Sequence, residues 1–575
     1  MNENNKFYKI FLESWHPYFW ISLIIFIVYF TTLFSGIVFL DDNVLVTSQY
    51  QFNKNFLNIF NAFNQDIFQT PYGGGTFYRP ILRISFILDA QFGEKAVIFM
   101  SHLSNLFLHI ISILLLYYFL LKLNLNFKKL TIFLFTIIFS IHPLTAQTVA
   151  FIPGRNDSLL AIFVFSAFIL LLNYLEKKKL KYFLWHILFF TLALFTKETA
   201  VILPVIFSLY ILIFINWKKI LENYRTYLIL IINWVTIIAL WFIIRLVVLG
   251  KFIGGADYNM FNSVYNNLPS LIPAIGKILL PFDLSVFPVM NDMSIYYGVI
   301  SLIILTIWFI ISKKRNLKLI LFGVFWFLIF ISLTLIKPIG TMPEFSENKI
   351  YIPMFGFIFI ILGMNFIKFP LIIKDKINNL ISNRKLIIII SILIIITFSF
   401  ITIYRNKYYK KGLAFWENAV ITSPSFAFNH NNLGAMYYLD NQLEKAENEY
   451  KIALEINPNE KMAHNNLGLI YAKKSKYEEA EKAYKKELEI NPNYDNAYFN
   501  LGLLYWAEEK KEDAVISWEK TLEVNPNYID AIKALTMYYY DEKKFEEVIP
   551  YAKMLYELGF QLPPDLIKLL MLSTN

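Results

Sequence analysis

Residues 18–46, "YFWISLIIFIVYFTTLFSGIVFLDDNVLV", decide how the rest of this chain is read. Residues 18–40 carry no charge. At 1.5 Å per residue they are long enough to cross the hydrocarbon core of a bilayer as one helix. Asp41 and Asp42 follow at once, where that helix leaves the apolar phase. Two adjacent carboxylates there mark either the water boundary or the working acids of a membrane-embedded site. The remainder of the sequence has to separate the two readings.

Such runs recur. Candidate spans lie near 18–40, 96–121, 130–150, 158–175, 182–196, 199–216, 226–249, 294–312, 317–337, 349–367 and 385–404, about eleven in all, and the Pro-containing 264–288 region reads as interfacial. The 575 residues are 57% hydrophobic and 18% aromatic, far more apolar than a soluble chain of this length. There is no cysteine, which excludes disulfides, thiolate nucleophiles and cysteine metal sites. No small-residue cleavage site follows the first span, so it is read as retained. The richness in Ile, Asn, Lys and Phe fits AT-rich coding, and a prokaryotic plasma membrane is the expected location.

Charge orders the topology. From Arg405 onward there are 21 basic and 26 acidic residues, which leaves 32 basic and 17 acidic before it. The excess of Lys and Arg before Arg405 needs no nucleic acid, because it is the usual topology signal of a membrane protein. "KLNLNFKK" (122–129), "EKKKLK" (176–181), "WKKILENYR" (217–225), "KKRNLK" (313–318) and 368–385 are the basic loops, and with eleven spans all five share one face. The positive-inside rule makes that face cytoplasmic. The N-terminus is then cytoplasmic, and the exterior receives Asp41–Asp42, the turns at Arg155 and Lys197, the 250–293 loop and everything beyond Arg405.

The C-terminal part repeats itself. Pro424, Pro458, Pro492 and Pro526 recur every 34 residues, as do Leu433, Leu467 and Leu501, each followed by Gly, and Ala446, Ala480 and Ala514. That period and those offsets are the tetratricopeptide pattern. Small Gly and Ala let paired helices approach, and Pro stops each second helix. Repeats are expected at 427–460, 461–494 and 495–528, with a degenerate fourth at 529–562. Upstream, "GLAFWENAVITSP" (412–424) matches only the second helix of a repeat, so little linker is expected between membrane and array, and the array is expected to be fixed and close-docked. The fold class is therefore all-α: a polytopic membrane bundle over 1–404, followed by an α-solenoid over 405–575.

Polar clusters stand at the expected exterior ends of the spans: "FLDDNVLV", "GGGTFYRPILRISF", "IHPLTAQTVAFIPGRNDSLLAIF", "LFTKETAVILP" and "EFSENKIYIPMFGF". Charges beside or within spans are costly and tend to be paired or functional. The order of motifs resembles the transmembrane and tetratricopeptide-repeat O-mannosyltransferases, membrane glycosyltransferases of the GT-C type. The resemblance rests on Asp41-Asp42, Tyr78-Arg79-Pro80, His142-Pro143 through Ala150, Gly154-Arg155-Asn156-Asp157, Lys197-Glu198 and Glu347 with Tyr351-Ile352-Pro353. It covers nearly the whole chain. Gln147 stands where that pattern often has an acid, and Asn348 where it has a base.

The resemblance implies transfer of a sugar, mannose by analogy, from a polyprenyl phosphate to a protein hydroxyl on the exterior face. Asp41 and Asp42 are then the catalytic candidates, since an acceptor hydroxyl needs a carboxylate base within hydrogen-bond reach. Adjacent acids also raise each other's pKa. Arg79, Arg155 and Lys197 are candidates for the donor phosphate, whose negative charge grows as the glycosidic bond breaks. Glu198 and Asp157 position those cations, His142 donates a hydrogen bond, and Glu347 supports. The same residues also admit plain structural readings, with Arg155–Asp157 and Lys197–Glu198 as ion pairs at turns and His142 as a helix-end hydrogen bonder. Asp41, Asp42 and Glu347 are ligands of the kind Mg²⁺ or Mn²⁺ takes, but many enzymes of this fold need no metal, so no metal is assigned and no cofactor is implied beyond the lipid-linked donor.

In the repeats, Asn432, Asn466 and Asn500 precede the Leu-Gly pairs on first helices, which line the concave face in this repeat class. Such an amide ladder suits an extended acceptor polypeptide, since amides pair with any peptide backbone. Asn is also simply frequent there in consensus repeats. Three alternatives stay open: a same-fold transferase acting on a lipid or surface glycan, a membrane-anchored scaffold without catalysis, or a lipid-linked sugar transporter. Scaffolding needs no acids and cations at span ends, and a transporter carries its charges nearer mid-membrane.

Overall fold

The computed structural model describes residues 6–68, 77–123, 127–250, 260–312, 315–336, 347–364 and 383–573. Much of the basic loops 122–129, 313–318 and 368–385 lies outside the described residues. Among the described residues the architecture is helical throughout, with no β-strand. The chain divides into two compact units, one ending at Ser423 and one beginning at Pro424.

In the membrane unit, six helical stretches are long and apolar enough to cross a bilayer: His16–Phe34, Val97–Lys122, Ile152–Lys177, Tyr224–Leu249, Leu317–Leu335 and Ile388–Tyr409. Lys129–Ser140, Leu180–Leu194, Glu198–Phe214 and Tyr296–Ile311 are shorter apolar helices. Phe355–Gly363 runs up to the undescribed stretch after residue 364. The helices pack where side chains are absent. A Cβ on Gly323 would lie 2.4 Å from the Gly356 carbonyl oxygen, and one on Gly356 would lie 2.5 Å from that of Gly323. Two glycines face to face let the backbones of Leu317–Ser332 and Phe355–Gly363 touch, the usual way membrane helices gain contact without a hydrophobic driving force.

The 130–150 stretch, read above as a single span, is instead broken. Lys129–Ser140 stops, and a separate short helix, Thr145–Ala150, follows. Pro143 supplies the reason: it has no N–H and its ring clashes with the preceding turn. The break is sealed by Thr145, whose hydroxyl donates to the His142 carbonyl at 2.6 Å. Every residue from Phe139 to Ala161 is buried, including the turn at Arg155. Irregular backbone is tolerated at such depth only where protein satisfies it. Here Thr402 donates to the Ile141 carbonyl (2.8 Å), Arg405 to that of Pro143 (2.7 Å), and Asn105 to those of Val149, Phe151 and Ile152 at 3.0–3.2 Å.

The second unit is an array of helix pairs: Ala427–Leu439 with Leu443–Ile456, Ala463–Lys473 with Tyr477–Ile490, Asp495–Ala507 with Lys511–Val524, and Ile529–Asp541 with Phe545–Glu557, closed by Pro564–Ser573. The repeat glycines make room for rings. A Cβ on Gly434, Gly468 or Gly502 would lie 2.7, 2.6 or 2.5 Å from the ring of Tyr450, Tyr484 or Trp518. Each of those aromatic residues sits on the second helix of its own pair.

Candidate active site

The acid pair sits on a tight turn after the first span. The two acids are not equivalent. Asp42 is 1% exposed, and its carboxylate accepts the backbone N–H groups of Val38 (2.6 Å), Leu40 (3.1 Å) and Asn43 (3.0 Å). Burial pushes its pKa above the ordinary aspartate value, against the opposing pull of those N–H groups. Phe39 takes a left-handed φ of 59°, which lets the chain fold back over the Asp42 carboxylate. Asp41 is only half-buried, and its carbonyl accepts from Leu45 N–H at 3.0 Å. A single apolar cluster ties the turn to its surroundings: Leu45 and Val46 pack with Leu82 and Phe86 of the helix that Arg79 introduces, and with Ile152 and Leu159 beside Arg155.

Four of the predicted residues form two ion pairs. Arg79 binds Glu198 through Nε (3.1 Å) and Nη2 (2.8 Å), side on, with side-chain exposures of 13% and 28%. Lys197 Nζ reaches Asp157 Oδ1 at 2.6 Å. Asn348 Nδ2 donates to the other Asp157 oxygen at 3.1 Å, and the backbone N–H of Asn348 donates to Gln147 Oε1 at 2.9 Å. The two positions where this chain departs from the resembled pattern are thus bonded to each other. Burial lowers the Lys197 pKa below the ordinary lysine value; Asp157 opposes this, while Arg79 and Lys349 add to it. Arg79, Lys197 and Lys349 therefore bring three positive charges to one place, with two carboxylates among them.

Three other predicted residues are buried and bonded to protein groups. Arg155 is fully buried, and its guanidinium is spent on Asp89 (2.6 Å), Asn105 (2.8 Å), the Ser101 carbonyl (2.7 Å) and Ser85 (3.3 Å), with the Phe86 ring 4.4 Å away. It pairs with Asp89 and not with Asp157. His142 Nδ1 accepts from Leu144 N–H at 3.2 Å, which leaves the proton on Nε2 to donate to the Ile278 carbonyl at 2.9 Å. Glu347, fully buried, accepts from Lys277 (2.7 Å), Arg405 (2.8 Å) and Ser285 N–H (3.0 Å). Burial raises its pKa, but Lys277 and Arg405 outweigh that, and the net direction is downward.

In the array, Asn432 Nδ2 turns back to the Phe428 carbonyl of its own helix (2.7 Å). Asn466 Nδ2 reaches Asn431 (3.0 Å) and Asn500 Nδ2 reaches Asn465 (2.9 Å), so the amide ladder stitches one repeat to the next. Each of these amides spends one N–H within the array, and all three side chains are only partly buried.

Asp89, Lys277, Arg405 and Arg83 were not singled out by the sequence. Arg83 is 1% exposed, donates to the Ile67 carbonyl, and leaves Nε and Nη1 without a hydrogen-bond partner. The signal available was charge inside apolar text: Arg83 and Asp89 lie within one helix, Pro80–Ala90, and Arg405 ends the last span.

Residues 81–244, which carry His142, Gln147, Arg155, Asp157, Lys197 and Glu198, match the family model described as dolichyl-phosphate-mannose-protein mannosyltransferase. The membrane unit carries a domain of this mannosyltransferase family. The mannosyltransferase-family model stops short of Asp41, Asp42 and Arg79 on one side and of Glu347 on the other. Residues 434–475 and 468–508 match a TPR repeat model, and 495–528 match a second tetratricopeptide model. A membrane glycosyltransferase domain of the GT-C type is thus joined to tetratricopeptide repeats. No curated protein matches the chain. Among solved structures, the chain is similar to the crystal structure of MamA (21% identity, covering 25% of this chain and 85% of that one, TM-score 0.23). It is also similar to pilF of Pseudomonas aeruginosa (21% identity, 29% and 72%, TM-score 0.25) and to MamA from Desulfovibrio magneticus RS-1 (18% identity, 26% and 82%, TM-score 0.22). Among the described residues, no group of three or more His, Asp and Glu side chains is placed to hold a metal ion.

Proposed function

We propose that this integral membrane protein transfers mannose from a polyprenyl-phosphate donor to a hydroxyl of a protein acceptor on the exterior face of a prokaryotic plasma membrane. The N-terminus is cytoplasmic in this reading and the repeats are exterior, in line with the basic loops. The observation that carries it is the two ion pairs, Arg79–Glu198 and Lys197–Asp157, in a chain whose 81–244 stretch matches the mannosyltransferase family. Arg79 and Lys197 are cations held at fixed positions by carboxylates. An incoming phosphate presents the same kind of oxygens to the same donors and exchanges with those carboxylates.

Asp41 acts as the base and Asp42 holds the turn. Asp42 has its oxygens occupied by three backbone N–H groups, whereas Asp41 is the more exposed of the two. Asp41 takes the proton from the acceptor hydroxyl as its oxygen attacks C1 of the sugar. The C1–O bond to the phosphate breaks, and the electron pair leaves on the phosphate, where Arg79 and Lys197 stabilise it. The repeats recruit the acceptor polypeptide or a carrier of it.

The test is transfer by the purified full-length protein in liposomes, with mannosyl-phosphoryl-polyprenol carrying labelled mannose. Label is expected on acceptor polypeptides and the product linkage is expected to be O-glycosidic. Label confined to lipid or glycan acceptors would replace the protein-acceptor reading with the surface-glycan one. Failure to turn over the lipid-phosphate donor with any acceptor would overturn the donor assignment.

A further inference from the structure

The segment after the last membrane helix does not leave the membrane unit. Gly412–Thr422 forms a helix there, and Tyr409, Phe415, Trp416 and Ala419 are fully buried. Its sequence is the second half of a tetratricopeptide repeat, and Trp416 falls 34 residues before Tyr450, in register with Tyr484 and Trp518. In the complete repeats that aromatic position packs on the glycine of the partner first helix. At Trp416 there is no first helix to receive it. The indole N–H instead donates to the Val38 carbonyl at 2.9 Å, inside the acid turn. The N–H of the same Val38 donates to Asp42 Oδ2 at 2.6 Å. The turn is held again two residues earlier, where Gly36 N–H donates to the Lys410 carbonyl at 2.9 Å.

We propose that Trp416 is a positioning residue for the Asp41–Asp42 turn, with the half-repeat helix gripping that turn where a repeat would grip its own first helix. The inference rests on the functional reading given above for Asp41 and Asp42. Trp416 touches no reacting group. It fixes the Val38 peptide, the Val38 N–H fixes Asp42, and Asp42 fixes the backbone that carries Asp41. The remaining bonds of the helix anchor it independently of the turn. Asn418 accepts Val286 N–H at 3.3 Å, Ser423 accepts Val289 N–H at 3.2 Å, and Thr422 meets Ser285 at 2.6 Å. Loss of the single indole bond therefore loosens the turn without releasing the helix.

The experiment uses the full chain with Trp416→Phe, which keeps a buried ring and removes the N–H. The control is Trp518→Phe, at the same register, where the buried indole N–H has no hydrogen-bond partner. With labelled mannosyl-phosphoryl-polyprenol, Trp416→Phe is expected to lower kcat about 10-fold, what one well-aligned hydrogen bond is worth, with donor KM unchanged. Amide exchange at Val38 is expected to speed up in the same variant, and Trp518→Phe is expected to match the parent in both readouts. Unchanged kcat and unchanged Val38 exchange in Trp416→Phe would overturn the positioning role while leaving the transferase reading intact. If the parent itself transfers no sugar, the functional reading fails, and the exchange measurement alone still decides whether Trp416 holds the turn.

Discussion

Glu347 is the residue whose loss should be felt most in the stability of the membrane unit. Its carboxylate is fully buried and is the common partner of Lys277 (2.7 Å), Arg405 (2.8 Å) and Ser285 N–H (3.0 Å). Glu347→Gln removes the charge and leaves two buried cations facing an amide, whose NH₂ group cannot accept. Breaking a buried pair from one side costs about 3–5 kcal/mol, because the stranded charge keeps its desolvation penalty. With two cations stranded, the upper part of that range is expected. Lys277→Met should cost less, since Glu347 then keeps Arg405 and the Ser285 amide. The assay is unfolding of the full-length protein in mixed micelles with rising SDS, followed by tryptophan fluorescence. The pH dependence has a definite sign. A carboxyl whose folded pKa is depressed contributes stability above its ordinary value of 4.5 and loses that contribution as pH falls through the folded value. The parent is therefore expected to approach Glu347→Gln in stability on acidification. If Glu347→Gln stays within about 0.5 kcal/mol of the parent at neutral pH, as a surface substitution does, the buried triad does not hold the unit together.

Further outcomes concern the cations and the array. Arg79→Met should raise the donor KM at least 10-fold, since hydrogen bonds to charged groups are worth about 1.5–3 kcal/mol; an unchanged KM would remove Arg79 from the donor site. Replacing Asn466 and Asn500 together by Ala should speed limited proteolysis of the repeats in the full chain, as two inter-repeat bonds of roughly 0.5–1.5 kcal/mol each are lost. If proteolysis is unchanged and only acceptor use falls, the ladder serves the acceptor after all. Gly468→Val places a Cβ 2.6 Å from the Tyr484 ring and should destabilise the array by about 1–3 kcal/mol; wild-type protease resistance would contradict the tight ring contact.

Helical class, membrane character and the repeat array were legible because each is periodic or compositional. A 34-residue period and runs of apolar residues survive any error at a boundary. The partners of the charges were not legible, and the reason is geometric. Arg155 and Asp157 stand two apart at the start of one helix, a spacing at which side chains do not face each other. Arg155 finds Asp89 at a separation of 66 residues, and Asp157 finds Lys197 at 40. Lys197 and Glu198 are neighbours in sequence, yet Glu198 pairs with Arg79, 119 residues away. Arg405 ends the last span, and only the fold brings it to Glu347 and to the carbonyl left over by the break at Pro143. The half-repeat at Trp416 was visible as a motif, but its partner lies on the acid turn, almost the whole membrane unit away in sequence.

The division of labour between the two acids is the claim on which the mechanism stands, and single-turnover transfer measures it. Asp41→Asn and Asp42→Asn are compared with the parent, each preloaded with labelled donor so that binding is separated from chemistry. Loss of a general base costs about 10²–10⁴-fold, so Asp41→Asn should fall by that much with donor binding intact. Asp42→Asn keeps an oxygen for the turn N–H groups, so its loss should be smaller, on the order of 10-fold for one weakened hydrogen bond. Full transfer by Asp41→Asn alongside a collapse in Asp42→Asn would reverse the assignment, and full transfer by both would leave the turn without a base.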